Sequence, residues 1–199
     1  MKTYITSDLH LFHHNAMGVD GFIKTRLHFG DVDEMNETII RAINSTVKEE
    51  DTLIHCGDFG FGKPKVLFEQ LERINAYKII LIKGNHDSSK FFKYIKNHNE
   101  KGKYELHDVG LIKKANKKVY YITHYPLGLG ENRKNLRNLC GHIHEEDPRE
   151  ANCLNIGIDS PSFRHLPFGT PVLIEDAFNK VEEKWSSWAE KNIGELKNE

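Results

Sequence analysis

The sequence predicts a mixed α/β layered domain, because short apolar runs of strand length alternate with amphipathic stretches of helix length. The first half of the 199-residue chain follows the order β-α-β-α-β-α, and the second half is richer in strand-like runs. No internal repeat, low-complexity tract or linker divides the sequence. A chain of this length fits one domain, which we expect to cover residues 1–199.

Three strands and three helices are predicted in the first half. They are expected at 3–7, 52–56 and 78–82 for the strands, and at 34–48, from Pro64 onwards and over Ser89–Asn97 for the helices. In the first helix an apolar residue recurs at every fourth position from Met35 to Val47, and Asp33 is available as the N-cap. Pro64 suits the first position of the second helix, because a proline there loses no hydrogen bond.

The second half contains four β-like runs, at 111–114, 119–123, 153–158 and 171–175. Closer to the C-terminus, Phe178, Val181 and Trp185 have the spacing of one helix face. We therefore expect a C-terminal helix near 177–193.

Composition and charge exclude several classes of protein. The net charge is −1, from 28 basic and 29 acidic residues, so it does not indicate a protein that coats nucleic acid, although nucleic acid stays possible as a substrate. No apolar run approaches the roughly 18–20 residues of a membrane span, and the first residues lack an apolar signal segment. Three cysteines without C-x-x-C spacing indicate neither a disulfide framework nor a thiolate zinc site. We expect a cytoplasmic protein, monomeric or a small homo-oligomer, with no membrane partner.

Polar side chains, many of them histidines, follow the predicted strands. Five segments carry them, namely Asp8-Leu9-His10, Gly57-Asp58, Gly84-Asn85-His86-Asp87, His124 and Gly141-His142-Ile143-His144. Ligands of α/β sheets bind outside the carboxyl ends of the strands, so these side chains are expected to converge from distant parts of the chain.

The residue types in these segments indicate a metal. Carboxylate, imidazole and amide oxygen without thiolate suit a borderline or hard transition metal such as Mn, Fe, Co or Zn. The D-x-H and H-x-H spacings place two side chains on one face of an extended segment. Any one of these motifs alone is more often a turn or a hydrogen-bonded structural feature than a ligand set. Five of them in this order, each after a strand, are hard to explain as turns.

With these five motifs the sequence resembles the calcineurin-like metallophosphoesterase superfamily. The resemblance implies a metallo-dependent phosphatase-like fold, an α/β/β/α sandwich with two mixed sheets. It also implies two divalent transition metal ions, with Mn²⁺ preferred and Fe, Zn, Co or Ni as alternatives. The implied ligands are Asp8, His10, Asp58 and His144 for the first ion, and Asp58 as a bridge, Asn85, His124 and His142 for the second.

The resemblance also implies roles for residues that are not ligands. His86 would face the substrate as a catalytic group, and Asp87 would orient it. The opening segment is similar to that of a narrower group of small phage and bacterial phosphoesterases, in which Gly commonly stands where this chain has Phe12. His13 and Asn15 keep their places in that pattern, and each is expected to touch substrate or a water near the metals.

Two arginines lie between the fourth and fifth motifs, Arg133 and Arg137, and both are expected to bind the substrate. The argument is one of position, because arginine suits bidentate contacts with phosphate.

The resemblance implies a hydrolase of phosphoester bonds. The leading hypothesis is a phosphodiesterase that acts on a phosphorylated small molecule or a nucleotide-like substrate. A phosphomonoesterase or a nuclease of the same family is the enzymatic alternative, because specificity lies in loops rather than in metal ligands. Some proteins with this fold have lost ligands and act as non-catalytic scaffolds, but all seven ligand positions and His86 are present here.

Overall fold

Two mixed β-sheets form the centre of the protein, whose computed structural model describes residues 1–130 and 133–192. The first sheet contains β1 (Thr3–Thr6), β2 (Thr52–His55), β3 (Lys78–Ile82), β4 (Tyr104–His107) and β9 (Val172–Leu173), in the order β4-β3-β2-β1-β9. Strands β1 to β4 are parallel, and β9 is antiparallel to β1.

The second sheet contains β5 (Gly110–Ala115), β6 (Lys118–Thr123), β7 (Leu136–Cys140) and β8 (Cys153–Asn155), in that order. Strands β5 and β6 form an antiparallel hairpin, and β6, β7 and β8 are parallel. The helices are α1 (Val32–Thr46), α2 (Pro64–Glu72), α3 (Ser89–Asn97) and α4 (Ile174–Asn192), with 3-10 turns at His14–Ala16, Lys24–Arg26 and Pro161–Phe163. In the described chain, no helix combines the length and the apolar character that a membrane span requires.

Successive side chains along the strands of the first sheet face opposite sides of the sheet, so the apolar core has two parts. Leu53 and Ile79 belong to an apolar cluster with α1, α2 and α3, whereas Ile54 and Ile80 face the opposite way into a second cluster. That second cluster contains side chains of β6, β7, β8 and α4, so it fills the space between the two sheets. The predicted fold, two mixed sheets with flanking helices, is confirmed.

Several element boundaries differ from the predicted ones. Helix α1 begins two residues earlier than expected, because the N-cap is Asp31, whose carboxylate accepts the Glu34 N–H, rather than Asp33. The run at 171–175 contributes two strand residues before α4 starts at Ile174. The C-terminal helix therefore covers 174–192, and residue 193 lies outside the described residues.

Strands β4 and β7 were not among the predicted strands. Lysines and polar residues dominate the segment before β4, and β7 (LRNLC) contains Arg137 and Asn138. Both elements take their strand conformation from pairing with neighbours, β4 with β3 and β7 with β6 and β8. Local apolar periodicity does not carry that information.

The loops at the carboxyl ends of the strands adopt left-handed backbone conformations. Five of the seven predicted metal ligands have positive φ there, at 59° for Asp8, 49° for His10, 59° for Asp58, 73° for His142 and 46° for His144. A left-handed conformation costs an L-residue about 1–2 kcal/mol, although Asp and Asn tolerate it better than most. Such strain concentrates at functional sites, where the surrounding structure holds it in place.

Phe12 shares this conformation, with φ of 62° and a half-buried ring packed on the first apolar cluster. Its backbone N–H donates to the Asn36 side chain of α1 at 3.0 Å. A glycine adopts this region without strain, so the left-handed conformation makes this a position that favours glycine over phenylalanine.

We predict that Phe12→Gly is more stable than Phe12→Ala by about 1 kcal/mol, because only glycine is free of the left-handed penalty. Both variants lose the same ring, so the comparison isolates the backbone. Urea unfolding of the two variants measures the difference. Lys93, which is exposed within α3, provides the control. There Lys93→Ala should be more stable than Lys93→Gly by about 1 kcal/mol, because alanine favours a helix. The same order at both positions would contradict the assignment of strain to Phe12.

Candidate metal centre

The loops after β1 and β2 run side by side and bring Asp8 and Asp58 together. Asp8 N–H donates to the Gly57 carbonyl at 3.0 Å, and His10 N–H donates to the Asp58 carbonyl at 3.0 Å. The loop after β7 approaches so closely that a Cβ atom at Gly141 would overlap the Asp8 carboxylate. Position 141 therefore requires glycine, because the two loops approach each other so closely there.

The first group of candidate ligands comprises Asp8, His10 and His144, whose donor atoms all lie within 4.8 Å of one another. The Asp8 carboxylate accepts the His142 N–H at 3.1 and 3.0 Å, which fixes its orientation. His10 Nδ1 lies 3.1 Å from His13 Nδ1, so a hydrogen bond between the two rings leaves His10 Nε2 facing the group.

The second group comprises Asp58, His124 and His142, again within 4.8 Å. Asn85 belongs with them, because its Oδ1 lies 2.7 Å from His124 Nε2 and 2.9 Å from His142 Nδ1. His124 Nδ1 lies 2.9 Å from the Cys56 carbonyl and donates a hydrogen bond to it. Nε2 is therefore the atom that faces the second group.

Asp58 lies between the two groups. Its Oδ2 is 3.5 Å from His10 Nε2 in the first group and 3.4 Å from His124 Nε2 in the second. Its Oδ1 accepts the main-chain N–H of His86 at 2.8 Å. One carboxylate thus contacts donors of both groups, as a bridging ligand must.

Burial and neighbouring charges set the protonation states. Burial raises the pKa of Asp8 to about 6 against the charges of His124 and His144. Burial alone would raise the pKa of Asp58, but the hydrogen bond and the charge of His124 outweigh burial and lower this pKa to about 2. Burial, together with the charge of Arg26, lowers the pKa of His10 to about 2. At neutral pH both carboxylates are therefore charged, and His10 is neutral with a free lone pair.

These residues fit divalent cations. His10 Nε2 is buried and, within the described residues, makes no hydrogen bond although it faces two carboxylates. A buried polar atom without a partner is costly, and a cation between these donors would satisfy it. Carboxylate, imidazole and amide oxygens are ligands for Mn, Fe, Co or Zn.

Residues 1–158 match the model of the calcineurin-like phosphoesterase superfamily domain. The chain belongs to this superfamily. Its members typically depend on two metal ions, in agreement with the two groups of ligands seen here.

The chain is also similar to individual proteins. The uncharacterized protein MJ1445 of Methanocaldococcus jannaschii is 31% identical over 136 residues, which cover 63% of this chain and 74% of the relative. The solved structure of AQ665, a protein of unknown function from Aquifex aeolicus, aligns with a TM-score of 0.62 and 20% identity over 89% of this chain and 98% of its own. A solved archaeal phosphodiesterase aligns more loosely, with a TM-score of 0.43 and 22% identity over 80% of this chain and 84% of its own.

Asp87 has different partners from those expected of it. It was predicted to orient His86, but its buried carboxylate accepts the backbone N–H groups of Asp58 at 2.9 Å, Phe59 at 3.0 Å and Gly84 at 2.9 Å. It therefore joins the loops after β2 and β3 and positions Asp58. His86 itself is exposed, with its ring 4.9 Å from that of Phe61 and 5.5 Å from that of His10.

The structure corrects the prediction for Arg137. It was predicted to bind substrate, but its side chain is fully buried at the amino end of β7, opposite the metal centre. Its guanidinium donates to Glu182 of α4 at 2.8 Å and lies 4.4 Å from the centre of the Trp185 ring. It holds α4 against the second sheet.

The other predicted substrate residues have different surroundings. His13 lies at the centre as the partner of His10, and burial lowers its pKa to about 4. Asn15 is exposed in the 3-10 turn His14–Ala16, and Arg133 is exposed before β7, so their contact with substrate stays a prediction.

A buried ion pair supports the first group of ligands, and no sequence motif indicated it. Arg26 donates to Asp159 at 3.1 and 2.6 Å, and it also donates to the carbonyls of Asp8 at 2.6 Å and Leu9 at 2.9 Å. Asp159 Oδ2 lies 3.8 Å from His144 Nδ1, a buried atom with no other partner in the part of the chain that the structure describes. The pair thus contacts the backbone of one ligand and faces the ring of another.

We predict that Asp159→Asn weakens metal binding at the Asp8–His10–His144 group by about 10–100-fold, the usual effect of removing an outer partner of a metal-ligating histidine. Calorimetric titration of the metal-free protein with Mn²⁺ measures the two affinities, and circular dichroism verifies the fold. Glu37→Gln is the matched control, because it breaks an exposed bidentate pair with Arg73 on the surface of α1. Equal Mn²⁺ affinities in Asp159→Asn and the control would contradict this role.

Proposed function

We propose that this protein hydrolyses phosphodiester bonds in a small or nucleotide-like substrate, with two divalent metal ions, most suitably Mn²⁺, held by the seven ligands. The observation that carries the proposal is the position of Asp58, whose carboxylate contacts donors of both groups. A site with a shared carboxylate suits two ions close together, the arrangement that clamps both sides of an in-line displacement at phosphorus. The phosphoesterase family and the chemistry of the ligands support it.

The charges of the residues suit an anionic substrate. Two divalent cations, when bound, supply Lewis acidity and a hydroxide nucleophile at neutral pH. Only Asp8 and Asp58 among the seven ligands carry negative charge, so a positive surplus remains to attract a phosphate ester. Histidine and asparagine ligands preserve this surplus, whereas further carboxylates would cancel it.

His86 is the residue proposed to act on the leaving group. Its main chain is fixed by the hydrogen bond to Asp58, and its ring lies at the open side of the centre. From there the imidazole can donate a proton to the leaving alkoxide or a hydrogen bond to a phosphoryl oxygen.

The cytoplasmic location and the oligomeric state stay predictions.

The test is hydrolysis of an aryl phosphodiester and an aryl phosphomonoester by metal-free protein, with and without added Mn²⁺. We expect Mn²⁺-dependent activity, higher on the diester, that a chelator abolishes. Asp58→Asn should nearly abolish it and lower the occupancy of both metals, because the amide removes the shared charge. The control Asp176→Asn changes an exposed carboxylate at the start of α4.

Preference for the monoester would replace the diesterase proposal with a phosphomonoesterase. No activity together with fewer than about one bound metal ion per chain would favour a scaffold. Two metals and wild-type turnover in Asp58→Asn would contradict the bridging role.

We predict that His86→Gln keeps both metals but lowers kcat by about 10²–10⁴-fold, the usual contribution of a positioned acid. The loss should be smaller with a nitrophenolate leaving group, which needs little protonation, than with an alkoxide. Metal content and kcat on both ester types provide the measurement. The exposed His98 at the end of α3 gives the control variant His98→Gln. Equal losses on both esters would assign His86 to phosphoryl-oxygen stabilisation, and loss of metal would make it a ligand.

A further inference from the structure

Two exposed aromatic side chains contact the rings of metal ligands. Phe22 is 56% exposed and Tyr125 is 49% exposed. The third exposed aromatic residue of the described chain, Tyr77, precedes β3 and so lies at the opposite end of the first sheet from the centre. Two of the three exposed Phe and Tyr side chains of the described residues therefore lie beside the candidate metal ligands.

Phe22 lies on the side of the first ligand group. The centre of its ring is 6.1 Å from that of His144 and 5.3 Å from that of His13, both in edge-on contact. Half-buried Phe61 extends this surface, because its ring is 3.9 Å from His13 and 4.9 Å from His86. We call Phe22 and Phe61 the first aromatic platform.

Tyr125 lies on the side of the second ligand group. Its ring is 4.6 Å from that of His142 and 5.0 Å from that of His124. The backbone around it is fixed, since the Thr123 hydroxyl donates to the Tyr125 carbonyl at 2.6 Å and the Leu127 N–H donates to Asn138 at 2.9 Å. Asn138 also donates to Thr123 at 2.9 Å, and both are buried. Tyr125 is thus held in place from beneath.

Rings that are exposed and held in this way are suited to stacking. Exposed apolar surface beside a binding site commonly marks the part of the site that the ligand covers. A base stacked on an aromatic side chain contributes about 1–3 kcal/mol, with little dependence on which base it is. Divalent cations held by the candidate ligands between the two aromatic surfaces would attract a phosphate, so the ligand that covers both features combines a phosphate with a planar ring.

We propose that Phe22 with Phe61, and Tyr125, are stacking subsites on either side of the metal centre, and that the substrate is a nucleoside phosphodiester. The inference rests on the proposed phosphodiesterase function and names its substrate class. An alkyl phosphodiester would leave both surfaces in water, so the protein discriminates against it by the lost stacking.

The test compares two diesters with the same leaving group, thymidine 5′-(4-nitrophenyl phosphate) and ethyl 4-nitrophenyl phosphate, with the Mn²⁺-loaded protein. The ratio of their kcat/KM values isolates the nucleoside. We expect the wild type to prefer the thymidine ester. One thymine ring occupies one subsite, so the leucine variant of that subsite, Phe22→Leu or Tyr125→Leu, should lower the ratio about tenfold. Tyr125→Phe, which keeps the ring, should retain the preference, and Tyr77→Leu should change nothing. Equal ratios in the wild type and both leucine variants would overturn the inference.

A binding measurement separates failure of the subsites from failure of the proposed function. Calorimetry compares thymidine 5′-monophosphate with ethyl phosphate on the Mn²⁺-loaded protein, with no hydrolysis required. About tenfold tighter binding of the nucleotide, lost in at least one of the two leucine variants, supports the subsites even if neither diester is cleaved. In that case only the proposed diesterase activity fails. Equal affinities for the two ligands in the wild type would overturn the subsites whatever the activity.

Discussion

The Asp58 carboxylate is the point on which the rest of this structure depends. It is buried within reach of donors from both ligand groups, and it lies close to a second buried carboxylate, Asp8. Burial of two like charges is strongly unfavourable unless positive charge or hydrogen bonds compensate. The surrounding loops supply backbone N–H donors, from His86 to Asp58 and from His142 to Asp8. Divalent cations would supply the rest, so the pair is stable as part of a metal centre.

Holding the ligands in this arrangement has a cost that the fold distributes. The left-handed conformations of five candidate ligands are individually unfavourable, by about 1–2 kcal/mol each. They persist because the loops are tied from several sides, with Asp87 beneath the loops after β2 and β3 and the Arg26–Asp159 pair beneath the loops after β1 and β7. The pair is fully buried, so removal of one partner would leave an uncompensated charge. Because these side chains are buried, they would influence a bound substrate only through the candidate ligands.

The division of labour around the centre follows from burial. Four of the seven candidate ligands, Asp8, His10, Asp58 and His124, are buried, whereas His86 is exposed at the open side of the centre. Metal binding requires rigid donors, and a proton donor to a leaving group must be accessible. The aromatic rings of Phe22 and Tyr125 extend the open side beyond the candidate ligands His144 and His142. Specificity in this superfamily member is therefore proposed to lie in loops that vary independently of the ligands.

The sequence by itself predicted the order of strands and helices in the first half, because apolar periodicity is a local signal. Its five motifs of Asp, Asn and His after strands indicated a metal site, and their resemblance to the superfamily implied the seven candidate ligands. The tertiary structure alone decided which polar residues support the site. Arg26 and Asp159 are 133 positions apart, and nothing in either neighbourhood predicts their contact. It also decided that Arg137, an arginine between two motifs, lies inside the protein, because strand pairing sets which end and face of β7 it occupies. Long-range pairing of this kind has no counterpart in local spacing, so only the folded chain could show it.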